Sequence, residues 1–290
     1  MVPLACDRSE GSGQTLVTVA PASEEDDPGV FVGLEATEAD NGPGTISVTC
    51  SRTVLCATLR LAVHRATTKL NVSGPGGATI EVNGARVTLP PGRQSSGQVD
   101  VAFDFGALSL EPATKREGDP SKLSLTVKMT RRNGAEETET LTFGLGRLEL
   151  LEVLRASAQR PTVFAGDKPE AAKPAVVYLE PGYSFLGEPK LVRDVDILAI
   201  WEPKEKHEGK SCGFYEKRSG ALPSAVLLDH VLQDYQLRVV DRRSGKVLLE
   251  KLLVAEDGPC PKSFLATPGK PYVTTPNHGE VVTLVEPLRK

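Results

Sequence analysis

The chain contains 290 residues, of which 25% are charged, and its formal net charge is −4 at pH 7. This length allows two compact domains, each large enough to bury its own core. The slightly negative charge and the lack of a basic face with interleaved aromatic residues argue against nucleic acid as a partner. The sequence has no run of about 18 apolar residues, so it predicts no membrane-spanning helix.

The chain begins with a leader, residues 1–28, in which Gly, Ser and Pro accompany many acidic residues. This composition predicts a solvated and flexible segment. Near its start, an apolar stretch and the small residue Ala5 come directly before Cys6. The pattern resembles the end of the signal sequence of bacterial lipoproteins, in which the cysteine becomes the lipidated first residue of the mature protein.

The resemblance implies that Cys6 carries a lipid anchor. It also implies that the protein lies outside the cytoplasm of a bacterium, either attached to the membrane or in the periplasm. An export signal needs a basic start and an apolar stretch of roughly 7 to 15 residues. Since five residues precede Cys6, we expect the natural chain to begin upstream of Met1. The alternative is a cytoplasmic protein in which Cys6 is an ordinary thiol.

Five cysteines leave one unpaired once two disulfides have formed. Cys50 and Cys56 lie in the first half of the chain, and Cys212 and Cys260 lie in the second. We therefore predict one disulfide in each half, with Cys6 left over for lipidation. No C-x-x-C pair occurs, and no histidine lies at metal-ligand spacing from a close cysteine pair, so the sequence predicts no metal site.

Residues 29–155 consist mainly of short runs in which apolar and polar residues alternate, separated by Gly and Pro. This pattern predicts an immunoglobulin-like antiparallel β-sandwich. One continuous strand from Thr45 to Arg65 would hold Cys50 and Cys56 about 20 Å apart, too far for a disulfide. We therefore predict a hairpin there, with its turn at residues 51–53.

Two Asn-Gly pairs in this domain, at residues 83–84 and 133–134, predict tight β-hairpins. The first, with a type I′ turn, would bring one apolar face together by pairing Val82 with Ala85, Ile80 with Val87 and Ala78 with Leu89. The second would bring opposite charges together across the strands by pairing Lys128 with Glu139 and Arg131 with Glu136.

A change in composition to Ala, Pro, Gly, Lys and Glu predicts an interdomain linker over residues 156–174. Residues 175–290 then form a C-terminal, mainly β domain with at most one or two short helices, so the whole fold is predicted as mostly β. The apolar run Val195–Trp201 predicts a central strand. Residues 241–245 predict a hairpin turn that ends with a left-handed glycine. The spacing of apolar residues over 224–235 fits either a helix or a strand.

The candidate catalytic motifs lack the context that their chemistry needs. Residues 209–213 fit G-x-S-x-G, which presents a nucleophilic serine on a turn between a buried strand and a helix. The residues before this motif are charged, and the segment after it is too short and polar for that helix. His207 and His230 each have an acidic neighbour in sequence, but adjacent residues of a strand or a helix do not face each other. We therefore assign both histidines to the solvated surface.

Aromatic residues make up 5% of the chain. Protein-binding surfaces favour tryptophan and tyrosine, and sugar-binding surfaces stack their ligands on exposed rings, so a cluster of such residues is a candidate contact. Packing in the core is the alternative role. The candidate ligand or partner contact in the C-terminal half consists of Trp201, Tyr178, Tyr183, Phe214 and Tyr215.

These features favour a non-catalytic cell-envelope protein that acts as a binding or assembly module for a protein partner or an envelope component. The sequence indicates no cofactor. An exported hydrolase with catalytic residues in its loops is the alternative. A pocket with two or more convergent ionisable side chains would favour the enzyme, and flat loops over satisfied cores would favour the module.

Overall fold

The computed structural model describes residues 14–18, 31–36, 45–49, 58–114, 119–167, 173–179, 184–212, 214–216, 225–227, 229–260 and 271–289. The chain divides into two compact units. The first comprises Met1–Lys168 with Pro189–Asp194, and the second comprises Pro169–Glu188 with Val195–Lys290. Predictions for Cys6, Cys50, Cys56 and Tyr183 fall outside the described residues.

The described part of the first unit is built mainly from short strands, which confirms the prediction of a mostly β fold. Its strands are β1 (Gln14–Thr18), β2 (Phe31–Ala36), β3 (Thr45–Thr49), β4 (Thr58–Ala62), β5 (Thr68–Pro75), β6 (Thr79–Val82), β7 (Ala85–Thr88), β8 (Gln94–Val101), β9 (Ser121–Thr130) and β10 (Glu136–Leu145). Its helices are α1 (Glu111–Thr114) and α2 (Arg147–Gln159).

These strands form two four-stranded sheets and one two-stranded pair, all antiparallel. The sheet orders are β1-β2-β5-β8 and β10-β9-β6-β7, and β3 pairs with β4. Thr49 lies opposite Thr58 in the β3-β4 pair, as a hairpin across this region requires. The two cysteines between these strands lie outside the described residues.

The β6-β7 hairpin has the register predicted from its Asn-Gly turn. Ile80 lies opposite Val87 and Val82 opposite Ala85, and the backbone N–H of Leu89 donates to the carbonyl of Ala78 at 2.9 Å. The two turn residues, Asn83 and Gly84, have positive φ angles of 46° and 88°, as a type I′ turn needs. The predicted face is buried except at Ala85 and Val87, which are half-buried.

Glycines in β5 and β8 allow this hairpin to pack closely against the other four-stranded sheet. A Cβ atom at Gly97 would lie 2.6 Å from Val87 Cγ2, and one at Gly74 would lie 3.2 Å from Ile80 Cδ1. The side chains of the hairpin therefore occupy space that larger residues would fill. This contact between two sheets is the layered packing that defines a β-sandwich.

The β9-β10 hairpin differs from its predicted register by one residue. Glu136 lies opposite Thr130, and Thr138 opposite Lys128, so the predicted pairing of Lys128 with Glu139 is wrong. The loop has three residues and not two, with Gly134 at a φ of 84°, which is the next most common hairpin geometry. Opposite charges still meet, because Lys128 Nζ lies 2.9 Å from Glu136 Oε2.

Helix α2 corrects the predicted boundary of the linker. Residues 156–159, predicted as its beginning, form the last turn of α2. Ala156, Ser157 and Ala158 are buried there, and Ser157 Oγ donates to the carbonyl of Val153 at 2.9 Å. Small residues suit a linker and a buried helix turn equally, so composition did not separate the two.

The segment Pro189–Asp194 also corrects the predicted domain boundaries, because it belongs to the first unit. The backbone N–H of Leu110 donates to the carbonyl of Lys190 at 2.8 Å, and that of Val192 donates to the carbonyl of Leu108 at 3.0 Å. These contacts join residues about 80 positions apart in the chain, so no local sequence pattern predicts that this segment returns to the first unit.

The second unit contains one six-stranded mixed sheet. Its strands are β11 (Ala175–Tyr178), β12 (Ser184–Leu186), β13 (Val195–Glu208), β16 (His230–Asp241), β17 (Val247–Leu253) and β18 (Tyr272–Thr274). The order is β12-β11-β13-β16-β17, and β18 also pairs with β16. A separate pair joins β14 (Phe214–Glu216) and β15 (Ala225–Leu227), and helix α3 spans His278–Val285.

Strand β13 lies in the middle of this sheet, as predicted for the apolar run Val195–Trp201. The region 224–235, for which the sequence left helix and strand open, contains strands β15 and β16 and no helix in its described residues.

The predicted turn after β16 is confirmed. Gly245 has a φ of 68°, and Asp241 Oδ1 accepts a hydrogen bond from the backbone N–H of Ser244 at 2.7 Å.

The hydrophobic core of the second unit lies between the sheet and α3. The helix contributes Val281 and Val285, and the strands contribute Val176, Tyr178, Ile197, Ala199, Trp201, Leu237, Val239 and Leu253. Asn277 caps the helix by accepting a hydrogen bond from the N–H of Gly279 at 2.8 Å, which satisfies one of the free donors at the helix start.

Candidate functional site

The candidate site lies at one end of the strand pair formed by β13 and β16. We call residues 195–201 with 237–241 the proximal half of this pair, and residues 202–208 with 230–236 the distal half. In β13 almost all proximal residues are buried, whereas every distal residue is exposed. The buried, apolar part of β13 therefore ends where the distal half begins.

A β-bulge in the distal half shifts the register of the two strands between Pro203 and Lys206. Proline cannot donate a hydrogen bond to the neighbouring strand, so a bulge is favoured beside it. The buried side chain of Gln233 stabilises the bulge, because its Nε2 donates to the carbonyl oxygens of Lys204 and Glu205 at 3.2 Å each.

Beyond the bulge, an imidazole and a carboxylate meet on one face of the sheet. His207 lies opposite Leu232, and Asp234 is two residues further along β16, on the same face. His207 Nε2 lies 2.8 Å from Asp234 Oδ2. The Asp234 side chain is 7% exposed and that of His207 46%, so a buried carboxylate holds an imidazole that solvent still reaches.

The surroundings of Asp234 favour its ionised form. The backbone N–H of Ala255 donates to Asp234 Oδ1 at 2.8 Å. This bond, followed by the contact with His207, lowers the pKa of Asp234 although burial opposes the shift. An ionised carboxylate can only accept hydrogen bonds, so His207 Nε2 carries the hydrogen of this bond.

The second histidine of the distal half, His230, is buried, with 1% of its side chain exposed. Its Nε2 lies 2.7 Å from Thr274 Oγ1. Its Nδ1 lies 3.4 Å from Asp257 Oδ1, which is within reach of an ion pair but makes no hydrogen bond. The prediction that both histidines belong to the solvated surface is therefore wrong for His230.

The chain segment after β13 closes over the His230 ring. A Cβ atom at Gly209 would lie 2.6 Å from His230 Nδ1, so a larger residue here would have to displace the ring. The Gly209 N–H donates to the carbonyl of His230 at 2.9 Å. The backbone N–H of the next residue, Lys210, donates to Asp257 Oδ2 at 3.1 Å. One oxygen of Asp257 therefore faces the backbone of this segment, and the other faces the imidazole of His230.

A disulfide joins Cys212 to Cys260, as the sequence predicted, with their Cα atoms 5.6 Å apart. Cys212 ends the segment that covers His230, and Cys260 follows Asp257 by three residues. The covalent bond therefore connects the same two segments that the hydrogen bond from Lys210 to Asp257 connects.

A pocket of about 500 Å³ opens beside these groups. His207 and His230 line it together with residues of both charges. The lining residues are Lys206, His207, Glu208, Gly209, Ser211, Asp229, His230 and Val231.

The geometry limits the chemistry that His230 can perform. Thr274, His230 and Asp257 follow the order hydroxyl, imidazole, carboxylate that activates a nucleophile in hydrolases. However, solvent does not reach the ring of His230, and Thr274 lies within strand β18. This group therefore stabilises the fold.

Ser211, the serine of the G-x-S-x-G motif, also lacks the geometry of a nucleophilic elbow. It follows the exposed end of strand β13 and precedes strand β14, where the elbow needs a buried strand before it and a helix after it. His207, half-exposed and oriented by Asp234, is the imidazole of the pocket that can contact a ligand.

Of the predicted aromatic contact, Trp201 and Tyr178 lie in the core, each only 1% exposed. The ring of His278 lies 5.1 Å from that of Tyr178 and 6.0 Å from that of Trp201. Burial raises the pKa of Tyr178. These two residues therefore pack in the core and are not accessible to a partner. The other predicted members, Tyr183 and the side chains of Phe214 and Tyr215, lie outside the described residues.

Sequence reasoning missed the partners of the two histidines because those partners are remote in the chain. Asp234 lies 27 residues after His207, and Thr274 lies 44 residues after His230. The adjacent acids Glu208 and Asp229 were correctly rejected as partners. The register of β13 against β16 is the signal that would have placed Asp234 beside His207.

The chain matches no protein-family model, no curated protein and no solved structure. The site therefore stands on its own geometry. Among the described residues, no helix combines the length and apolar character that crossing a membrane requires. In the same part of the chain, no group of three or more His, Cys, Asp or Glu side chains is placed to hold a metal ion.

Proposed function

We propose that the chain is a non-catalytic binding or assembly module of the cell envelope, and that the pocket in the distal half contacts its partner. The pocket offers hydrogen-bond donors from Lys206 and acceptors from Glu208 and Asp229. A protein segment or an envelope component with polar groups of both charges matches this lining.

The observation that carries the proposal is that a protein group already holds the accessible imidazole of the pocket. His207 is bonded to Asp234. Side chains that are fixed before a ligand arrives lose little conformational freedom when it binds. The pocket is thus organised for recognition.

The disulfide between Cys212 and Cys260 supports an oxidising, extracytoplasmic location. A lipid on Cys6, which the resemblance to lipoprotein signals implies, would attach the module to the membrane. We propose this location and this anchor together with the binding role.

One observation favours a second candidate function, an exported hydrolase. His207 is half-exposed, lies in a pocket with other ionisable side chains, and is oriented by the ionised Asp234. A carboxylate that orients an accessible imidazole is the arrangement of many general bases. This candidate requires that the ligand of the pocket is converted as well as bound.

Histidine ring NMR tests both candidates in one experiment. The chain has four histidines, so labelling at Cε1 yields four ring signals that single His→Gln variants assign. We would add soluble peptidoglycan fragments and, separately, short peptides of mixed charge to the full chain. The binding proposal expects the signal of His207 to shift, while those of His64 and His278 stay in place.

Paired variants on the same strand provide the control. Lys206→Ala with Glu208→Ala changes two charged residues that line the pocket, whereas Lys204→Ala with Glu205→Ala changes two that do not. We expect the first variant alone to abolish the shifts. The absence of a shift with every titrant contradicts the binding proposal, and conversion of a titrant during the experiment supports the hydrolase.

A further inference from the structure

One short segment lines the end of the pocket near His230, and a disulfide ties it to a second segment. Gly209 and Ser211 line the pocket on the first segment, residues 209–212. Residues 257–260 form the second segment, which places Asp257 beside the His230 ring. The Cys212–Cys260 disulfide joins the two segments at their far ends.

These segments lie outside the hydrophobic core of the unit. Lys210, Ser211 and Asp257 are exposed, and both cysteines are half-buried. Polar contacts at solvent-exposed positions contribute little stability, so such segments open locally at low cost. A half-buried disulfide is also within reach of an attacking thiolate.

We propose that the Cys212–Cys260 disulfide is a redox latch on the pocket. In the oxidised protein, the disulfide keeps Asp257 against Lys210 and His230 and closes this end of the pocket. In the reduced protein, the two segments separate, and the wall formed by Gly209 and Ser211 moves away from His230. That this wall belongs to a binding pocket rests on the proposed function.

The chemical step is thiol–disulfide exchange with a dithiol. One thiolate of the dithiol attacks a cysteine sulfur, the bond between the two cysteines breaks, and a mixed disulfide forms. The second thiol of the reagent displaces the remaining cysteine. The reagent is oxidised to a cyclic disulfide, and the protein gains two electrons and two protons as the thiols of Cys212 and Cys260.

Release of the latch also changes the surroundings of His230. Asp257 is the acidic group that faces His230 Nδ1, while Thr274 faces Nε2 and the ring of Tyr272 packs 5.3 Å away. Thr274 and Tyr272 belong to strand β18, which stays paired with β16. The His230 ring signal therefore reports the departure of Asp257 and of the segment 209–212.

Amide hydrogen exchange on the full chain tests the latch without any ligand. We would compare the oxidised protein, the protein reduced with dithiothreitol under native conditions, and the double variant Cys212→Ser with Cys260→Ser. Reduction and the double variant are expected to raise the exchange rates of the Gly209 and Lys210 amides by about tenfold or more. The Val239 and Ala199 amides of the proximal half are expected to keep their protection.

Reoxidation and the Asp257→Asn variant complete the test. Reoxidation is expected to restore protection at Gly209 and Lys210. Asp257→Asn keeps the disulfide, so its pocket wall should remain protected. Unchanged exchange after reduction, resistance of the disulfide to native-state reduction, or equal loss of protection at Val239 would each overturn the latch. Since no ligand is present, these outcomes do not depend on whether the pocket binds one.

Discussion

The proximal and distal halves of the β13-β16 pair use the same two strands but different interactions. In the proximal half, Trp201, Leu237 and Val239 pack under helix α3 in the hydrophobic core. In the distal half, hydrogen bonds connect His207 to Asp234 and His230 to Thr274. The free energy of apolar burial scales with the buried area and depends little on exact geometry. The strength of each hydrogen bond depends on one partner at the right distance and angle. The distal half is therefore the part of the strand pair that small changes can alter.

The largest expected effect is in the proximal half. Trp201→Ala should lower the free energy of unfolding by about 3 to 5 kcal/mol, because it removes the largest buried side chain and leaves a cavity. Leu232→Ala, at a half-buried distal position, should cost about 1 kcal/mol. Urea unfolding followed by far-ultraviolet circular dichroism measures both. Equal losses would erase the distinction between the two halves.

Beside the distal half, the largest effect is expected from a single methyl group at Gly209, which packs on the ring of His230. Gly209→Ala places a Cβ 2.6 Å from His230 Nδ1, and relief of this overlap should cost about 1 to 3 kcal/mol. Gly258→Ala is the matched control, since nothing lies within 4 Å of its Cβ. Unfolding in urea and the His230 ring signal measure the change. A Gly209 variant as stable as the Gly258 variant would contradict the close packing of this segment on the ring.

The Asp234 carboxylate should make the distal half sensitive to acid. Because its pKa is lower in the folded protein, its contribution to stability is present above the unfolded pKa of about 3.9. That contribution is lost as the pH falls through the lower, folded value. Asp234→Asn should cost about 1 to 2 kcal/mol at pH 7, and the difference from the original protein should shrink below about pH 4.

Urea unfolding at a series of pH values measures this difference. Asp229→Asn, which changes an exposed acid of the same strand region, serves as its control and should leave the curve unchanged. A constant difference between Asp234→Asn and the original protein across the acid range would show that ionisation of Asp234 plays no part.

The smallest effect is expected from the ion pair between β17 and α3. Lys251 Nζ lies 3.0 Å from Glu280 Oε1, and both side chains are about half-exposed. Solvent screens such a pair, so a double-mutant cycle with Lys251→Ala and Glu280→Ala should give a coupling of about 0.2 to 1 kcal/mol. The coupling should weaken in high salt. A larger, salt-independent coupling would mean that charge, and not apolar packing, attaches α3 to the proximal half.

The sequence predicted local features of the fold more accurately than remote ones. The turn at Asn83 and the turn at Asp241 were predicted with their residues in the right conformations. The second Asn-Gly turn gave a register that was wrong by one residue, because a three-residue loop with Gly134 competes closely with the two-residue turn. The last turn of α2 was predicted as the start of a linker because its residues are small.

For the candidate site, the sequence identified the disulfide partners but not the network around them. Counting cysteines paired Cys212 with Cys260, yet nothing nearby in the chain placed Asp257 against His230. Alternation along a strand correctly separated each histidine from its adjacent acid, but it gave no information about the neighbouring strand. His207 and Asp234 meet only because the bulge at Pro203 sets their register.

The sequence by itself determined the mostly β composition, the positions of the turns and the apolar run that becomes the middle of the second sheet. These features depend on backbone preferences and side-chain alternation within a few residues. Tertiary structure decided that residues 230–241 form a strand, that His230 is buried, and that two histidines share one pocket. Such features depend on contacts between residues that are far apart in the chain, and the free energy of those contacts exists only once the sheet has assembled.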